Sequence, residues 1–285
     1  MTVPTAPDLA GRSVLVTGGG TGIGFAITAA ALTAGATVTV ASRNEERLAD
    51  ARDRLIGLGF PGDRIHYVAG DTSREADAER IVATAAALDG KLDAVVACAG
   101  EPRGQMAPVT HLELDAWESV FQNNARATML TLKYGGRALV RAGGGAFVAI
   151  SSISSTMAAA FTAPIACAKA AVDQICRVAA NELGPSNVRV NSVRPGLIEV
   201  DRQELPAAIV NDFRAAIPMP RLGKGADVAG LVALLISPAG SWITGQVLSV
   251  DGGQSVRRAF DATPWVEPVY GTDGMRGVVE EAPTA

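Results

Sequence analysis

The run Thr17-Gly18-Gly19-Gly20-Thr21-Gly22-Ile23-Gly24 constrains this chain more than any other stretch. Before it stands Ser13-Val14-Leu15-Val16, apolar and β-branched, which reads as a buried strand. After it, Phe25-Ala26-Ile27-Thr28-Ala29-Ala30-Ala31-Leu32 reads as a helix. Glycines let a backbone turn tightly and approach a pyrophosphate. The N-terminus of the following helix adds free N–H groups and the positive end of its dipole. Between the strand and the helix of a parallel sheet, such a turn is a dinucleotide site. Glycine-rich turns also join elements that hold no ligand, so the assignment rests on the flanking strand and helix.

The rest of the chain repeats this alternation. Strands are predicted over about 12–17, 37–42, 64–69, 93–98, 146–151, 188–193 and 246–250. Helices are predicted over about 22–34, 44–58, 73–89, 113–142, 163–184 and 226–236. This order predicts an α/β fold: a doubly wound parallel sheet in three layers, as a single domain. Right-handed crossovers then bring Gly24, Arg43, Asp71, Gly100, Ser151 and Pro195 to one sheet edge. Residues 1–10 read as a leader and 11–253 as the domain, within which 197–224 is irregular with a short helix. Residues 254–285 read as an extension of little periodicity, lying over the surface or a neighbouring subunit.

Composition removes several classes of function. Of the 285 residues, 48% are hydrophobic and the formal net charge is −4, with no basic block. That is enough apolar surface for a large core and gives no nucleic-acid face. Apolar stretches are strand-sized or interrupted, so no membrane span is expected. The first eleven residues lack a signal-peptide pattern. Cys98, Cys167 and Cys176 show no metal spacing, and reduced thiols in a cytoplasmic protein are the simplest reading. No metal is expected.

Beyond the glycine run, an ordered series of short motifs appears. It comprises Asp71 after strand 3, Cys98-Ala99-Gly100, Asn124 in the long helix, Ile150-Ser151-Ser152 after strand 5 and Lys169. It continues with Arg194-Pro195-Gly196, Trp242-Ile243-Thr244-Gly245 and Asp251-Gly252-Gly253. In this series the chain resembles the short-chain dehydrogenase/reductase family over about residues 11–253. The resemblance implies a Rossmann fold, a nicotinamide cofactor and an assembly of like subunits, a tetramer or dimer paired through helices 113–142 and 163–184. It also implies cofactor contacts from Gly18, Thr21, Gly22, Ile23, Gly24, Ser42, Arg43, Asp71, Thr72, Ala99, Gly100, Lys169, Pro195, Gly196 and Ile198. Ser42-Arg43 resembles the pattern that prefers NADP(H), in which a guanidinium meets the 2′-phosphate. A solvated arginine at a helix start is the bland alternative.

The family's catalytic set is Asn, Ser, Tyr and Lys. By position, Asn124, Ser152 and Lys169 match three of them. The tyrosine position, four residues before the lysine, is Ile165 here, in Pro164-Ile165-Ala166-Cys167-Ala168-Lys169. In the family the tyrosine is the general acid and base for the carbonyl oxygen. A free phenol has a pKa near 10, which the lysine one helical turn away lowers. Isoleucine cannot take that part. Tyr67, Tyr134 and Tyr270 lie away from the motif. In dienoyl-CoA reductases of this family a Tyr near the position of Ser154 serves instead, and here that position is Ser. Val200 stands where the family usually has a Thr hydroxyl.

Several of these residues keep a second reading. Ser152 also suits a turn residue that caps the next segment, and Asn124 suits a local distortion of its helix. Lys169 also serves ribose hydroxyls. Cys98 and Cys167 read as small packing residues, and His66 and His111 as surface or packing histidines. Two functions are compatible with this pattern. The first is an NADP(H)-dependent oxidoreductase with an altered proton-donor site, acting on a small apolar carbonyl, enone or imine-like substrate. The second is a non-redox isomerase, cyclase, dehydratase or binding protein on the same fold. Leu197, Ile198, Leu205, Phe213 and Ile217 favour an apolar ligand.

Overall fold

The computed structural model describes residues 7–101, 104–199 and 207–279. Among these, the strands are β1 (Ser13–Thr17), β2 (Thr37–Ser42), β3 (Ile65–Ala69), β4 (Ala94–Ala97), β5 (Gly145–Ile150), β6 (Val188–Pro195), β7 (Ile198–Glu199), β8 (Gly223–Lys224) and β9 (Val247–Val250). The α-helices are α1 (Gly22–Thr33), α2 (Glu45–Gly57), α3 (Glu75–Leu88), α4 (Leu114–Phe121), α5 (Ala127–Arg141), α6 (Ala163–Leu183), α7 (Ala207–Ala216), α8 (Gly225–Ile236) and α9 (Thr263–Met275). Seven strands form one sheet in the order β3-β2-β1-β4-β5-β6-β9, with every pairing parallel. The doubly wound sheet predicted from the alternation is therefore present.

Successive strand residues point to opposite faces, and here each face meets a layer of helices. Val14 and Val16 of β1 and Val148 of β5 pack with Ile27 of α1, Leu55 of α2 and Val232 of α8. The residues between them, Leu15 and Phe147, pack with Ile81 of α3, Leu139 of α5 and Val172 of α6. A strand buried on both faces must be apolar along its whole length, which is why these segments read as continuous hydrophobic runs. The strand order reverses beside β1, whose neighbours are β2 and β4. At such a reversal the connections diverge and a crevice opens beyond the carboxyl ends of the strands.

Three regions differ from the sequence reading. The long helix expected over 113–142 carries one π-helical turn, Gln122–Arg126, between α4 and α5, at the position where a distortion by Asn124 was expected. Region 197–224 holds α7 and also a short parallel ladder, Ile198 with Gly223 and Glu199 with Lys224. Ile209, Phe213, Ile217 and Leu222 form a third small core there. Val200 and Leu205 lie outside the described residues. Within the described residues, the extension after residue 253 has more order than its weak periodicity predicts: it forms α9, buries Ala262 and Val266, and packs Phe260 and Trp265 against the third core.

Candidate active site

The glycine turn is built for backbone contact. Gly18 has φ +68°, and a Cβ there would lie 2.8 Å from the backbone of Ala99. A Cβ on Gly24 would overlap the Gly18 carbonyl. Neighbouring threonines hold the turn in place. Thr28 Oγ1 donates to the Gly24 carbonyl at 3.0 Å, and Thr17 Oγ1 accepts from the Ala99 N–H at 3.2 Å. Thr21 enters α1 in extended conformation, and its side chain does not cap the helix. No acidic residue lies in the first turn. A glycine-rich cradle at an uncapped helix N-terminus fits the pyrophosphate of a dinucleotide.

From this cradle a cavity of about 600 Å³ runs past the ends of β4, β5 and β6. Gly18, Thr21, Gly22, Ile23 and Gly24 line one end. Ala99 and Gly100 line the middle, where β4 ends, and Pro195, Gly196 and Ile198 line it where β6 ends. Ser152, Ile165 and Lys169 lie together at the far end. The structure thus brings thirteen of the expected positions into one cavity. Ser42, Arg43, Asp71, Thr72 and Asn124 are not on its wall. Ser42 Oγ donates to the Asn44 carbonyl at 3.4 Å, and Arg43 is exposed at the end of β2. Asp71 accepts from the N–H and hydroxyl of Ser73, at 2.9 and 2.8 Å, and Thr72 is buried.

Asn124 sits directly behind the wall. It is fully buried in the π-helical turn, and its Nδ2 donates to the carbonyls of Val120 at 3.0 Å and Glu101 at 3.2 Å. Its Oδ1 has no partner. A Cβ on Gly100 would lie 2.7 Å from that oxygen and 3.4 Å from Lys169 Nζ, so only a glycine lets the two approach this strand end. Lys169 Nζ donates to the Ile150 carbonyl at 3.0 Å. Burial lowers its pKa to about 8, against a smaller opposing pull from Cys98 and Asp173. Cys98 stays a thiol, because burial pushes it up to about 11.

Ser152 begins a short 3₁₀ turn and its Oγ accepts from the Ser154 N–H at 3.2 Å. Its hydroxyl proton stays available to the cavity, so the turn reading and the site reading of Ser152 are compatible. Ser154 Oγ is buried, lacks a partner and belongs to a residue on the cavity wall. Ile165 is half-buried in the first turn of α6, one turn before Lys169. The end of the cavity around it can polarise a substrate oxygen through Ser152 and exchange a proton at Lys169, but holds no phenol.

The sequence reading passed over two groups on this wall. Arg47 and Arg54 of α2 line the cradle end, whereas the arginine singled out in the sequence was Arg43. Asn44 caps α2 by accepting from the Arg47 N–H at 2.8 Å, and the Arg47 carbonyl lies 3.6 Å from where a Cβ on Gly20 would be, so the first turn of α2 packs against the glycine run. Arg54 also stacks its guanidinium 4.4 Å from the Phe25 ring centroid. The second group comes from the C-terminal extension, which contributes Gln254, Ala259, Phe260 and Trp265. Among the described residues no cluster of three or more His, Cys, Asp or Glu could hold a metal, and no helix is long and apolar enough to cross a membrane.

Comparison with known proteins points to one group. The family model described as enoyl-(acyl carrier protein) reductase matches residues 18–255. A cis-4-hydroxycyclohexanecarboxylate dehydrogenase of Sinomonas cyclohexanicum is 34% identical over 245 residues, covering 85% of this chain and 96% of that protein. A short-chain type dehydrogenase/reductase from Mycobacterium ulcerans superposes with a TM-score of 0.90 at 42% identity, covering 95% of this chain and 100% of that one. A short-chain dehydrogenase from Burkholderia cenocepacia, solved in complex with NADP, superposes with a TM-score of 0.78 at 30% identity over 86% of this chain and 98% of its own.

Proposed function

Because this chain belongs to the short-chain dehydrogenase/reductase family of oxidoreductases, we propose that it is an NADP(H)-dependent member with an altered proton-donor site, reducing a small apolar enone, imine-like or carbonyl compound. The observation that carries this reading is the continuity of one cavity from the glycine cradle to Ser152, Ile165 and Lys169. Gly18, Gly22 and Gly24 would hold the pyrophosphate. Arg47 on the cavity wall would supply a cation for a 2′-phosphate, with Arg43, exposed at the end of β2, as a second source, and the Burkholderia relative was solved with NADP. Lys169 would hold ribose hydroxyls. When bound, the cofactor supplies a hydride.

What the chain must add is control of a proton. Ser152 can donate a hydrogen bond to a substrate oxygen, but a serine hydroxyl is too weak an acid to give its proton up. Ile165 has none to give. Lys169 titrates at about 8 and lies one turn away. A positioned acid or base is worth roughly 10²–10⁴ in rate, so a plain ketone is the substrate that suffers most from Ile165. An enone needs its proton on carbon after hydride addition, and water can provide it. A protonated imine arrives with its proton already in place.

The experiment is absorbance at 340 nm with NADPH or NADH against 2-cyclohexenone, a cyclic imine and cyclohexanone. We expect NADPH to be preferred and the enone or imine to be reduced well ahead of the ketone. Fast reduction of cyclohexanone by the unaltered protein would refute the altered-donor reading. NADPH binding without turnover on any compound would favour the non-redox alternative that Ile165 leaves open. We also propose a homo-oligomer, supported by exposed apolar side chains on α5 (Met129, Val140), on α6 (Val178) and at Trp242, which is 98% exposed. A monomer in sedimentation velocity at micromolar concentration would rule it out.

A further inference from the structure

The match to the family model ends at residue 255, and the segment beyond it takes part in the cavity. This segment is fastened to two different walls. On the first wall, α7, the Arg258 guanidinium grips both carboxylate oxygens of Asp212, one of them at 3.0 Å. The Asp261 N–H donates to the same carboxylate at 2.8 Å. Phe260 stacks on Phe213 with ring centroids 4.4 Å apart and planes 21° apart. On the second wall, the loop after β4, Tyr270 packs edge-on to His111 with centroids 5.1 Å apart. Gln105 Nε2 donates to the Tyr270 hydroxyl at 3.3 Å. Between the two fastenings Ala262 and Val266 are buried and Trp265 lines the cavity, which Phe260 of the first fastening also lines.

This arrangement does two things. It places two aromatic side chains on the cavity wall, packed against the small core of Ile209 and Phe213. It also commits the Arg258 guanidinium to α7, where it pairs with Asp212 instead of facing the cavity. A charged or strongly polar group entering between Phe260 and Trp265 would meet apolar carbon and lose its hydration without compensation. A rigid hydrocarbon ring would gain contact with faces that are already fixed in position.

We propose that residues 257–277 form a strap that determines specificity, in which Trp265 and Phe260 bind an uncharged alicyclic or aromatic ring and disfavour long polar thioester substrates. The strap depends on the oxidoreductase reading only for the position of the reacting bond, so its test reads binding and not turnover. Asp212 is a positioning residue in this scheme: it touches no ligand and holds the strap to α7.

The probe is 2-decalone, a bicyclic apolar ketone, titrated calorimetrically into the full-length protein, with acetoacetyl-CoA as the polar comparator and NADPH titrated separately. We expect 2-decalone to bind more tightly than acetoacetyl-CoA. Trp265→Ala should weaken 2-decalone about tenfold or more. Trp265→Phe should recover most of that loss, and Asp212→Asn should weaken binding severalfold. Val269→Ala, at an exposed position on the same helix, should change nothing. NADPH affinity should be untouched in all four variants. Undiminished 2-decalone binding in both Trp265→Ala and Asp212→Asn would overturn the strap, as would a wild-type preference for acetoacetyl-CoA. Decalone binding that depends on Trp265 in a protein that fails to bind NADPH would uphold the strap and sink the oxidoreductase reading.

Discussion

At the cradle end of the cleft the ligand surface is mostly backbone, and at the far end it is side chain. Gly18 and Gly24 are fixed by sterics: a single methyl group at either would collide with main-chain atoms. Around Ile165 the wall is made of a branched alkyl, a serine hydroxyl, an amine and the aromatic strap, and the backbone of α6 accepts either Ile or Tyr with similar propensity. Chemistry at that end can therefore change without any change in fold. The cradle has no such freedom, because altering it alters the turn that joins β1 to α1. A family resemblance read from the cradle thus says that a dinucleotide has a seat. It says much less about the reaction run beside it.

The largest effect should come from the permissive end. Ile165→Tyr places a phenol one turn before Lys169 and beside Ser152, and cyclohexanone reduction should rise by about 10²–10⁴ in kcat/KM. The phenol is larger than the sec-butyl group, so overpacking should cost about 1–3 kcal/mol, read as a lower melting temperature. A stable variant with no gain would mean that this end lacks more than its acid. The restrictive end should respond in the opposite sense. Gly18→Ala forces an alanine to the left-handed region, at about 1–2 kcal/mol, and drives its Cβ into the Ala99 backbone. NADPH binding should weaken by about a hundredfold, since each 1.4 kcal/mol is about tenfold. Melting should fall by about 2–4 °C per kcal/mol lost. Normal NADPH binding by Gly18→Ala would erase the contrast between the two ends.

The same contrast governs what could be read from sequence. Glycines under steric compulsion, and strands buried on both faces, leave unmistakable local patterns, so the sheet and the cradle were legible. Two features set by side-chain competition were not fully legible. Asn124 Nδ2 takes the carbonyl of Val120, four residues back, so that the ladder gives way to a π-turn there. The resemblance places a distortion at Asn124, but the local pattern does not show that it is a π-turn. The strap was the harder case. Pro268 and Gly271, with φ +64°, fall inside its helical stretch and blur the period. Phe260 and Trp265 are spaced by where α7 and the cavity lie, which no local pattern records. Arg47 is hidden for a related reason: position after β2 favours Arg43, but the first turn of α2 carries Arg47 to the cavity wall.

The smallest predicted effect concerns Lys169, which lies at the far end and is also a candidate for the cofactor's ribose. Its folded pKa of about 8 lies below the ordinary lysine value of 10.5, so the fold disfavours its charged form. The cost to stability is therefore present below about pH 8 and fades as pH rises from there toward 10.5. Unliganded protein should gain stability across that window, and Lys169→Met should not. An anionic dinucleotide acts the other way, because a nearby opposite charge favours the ammonium form. NADPH affinity should accordingly fall a fewfold as pH rises through about 8, with proton uptake on binding in the alkaline half of the range. Fluorescence titration between pH 7 and 9 measures this, with Lys169→Met as the flat reference. The same slope in both proteins would remove Lys169 from cofactor binding and leave it to the substrate end. A slope that disappears in Lys169→Met while the Ile165→Tyr gain persists would place the lysine with the cradle, making the phenol's activation the work of Ser152 and the surrounding dipoles.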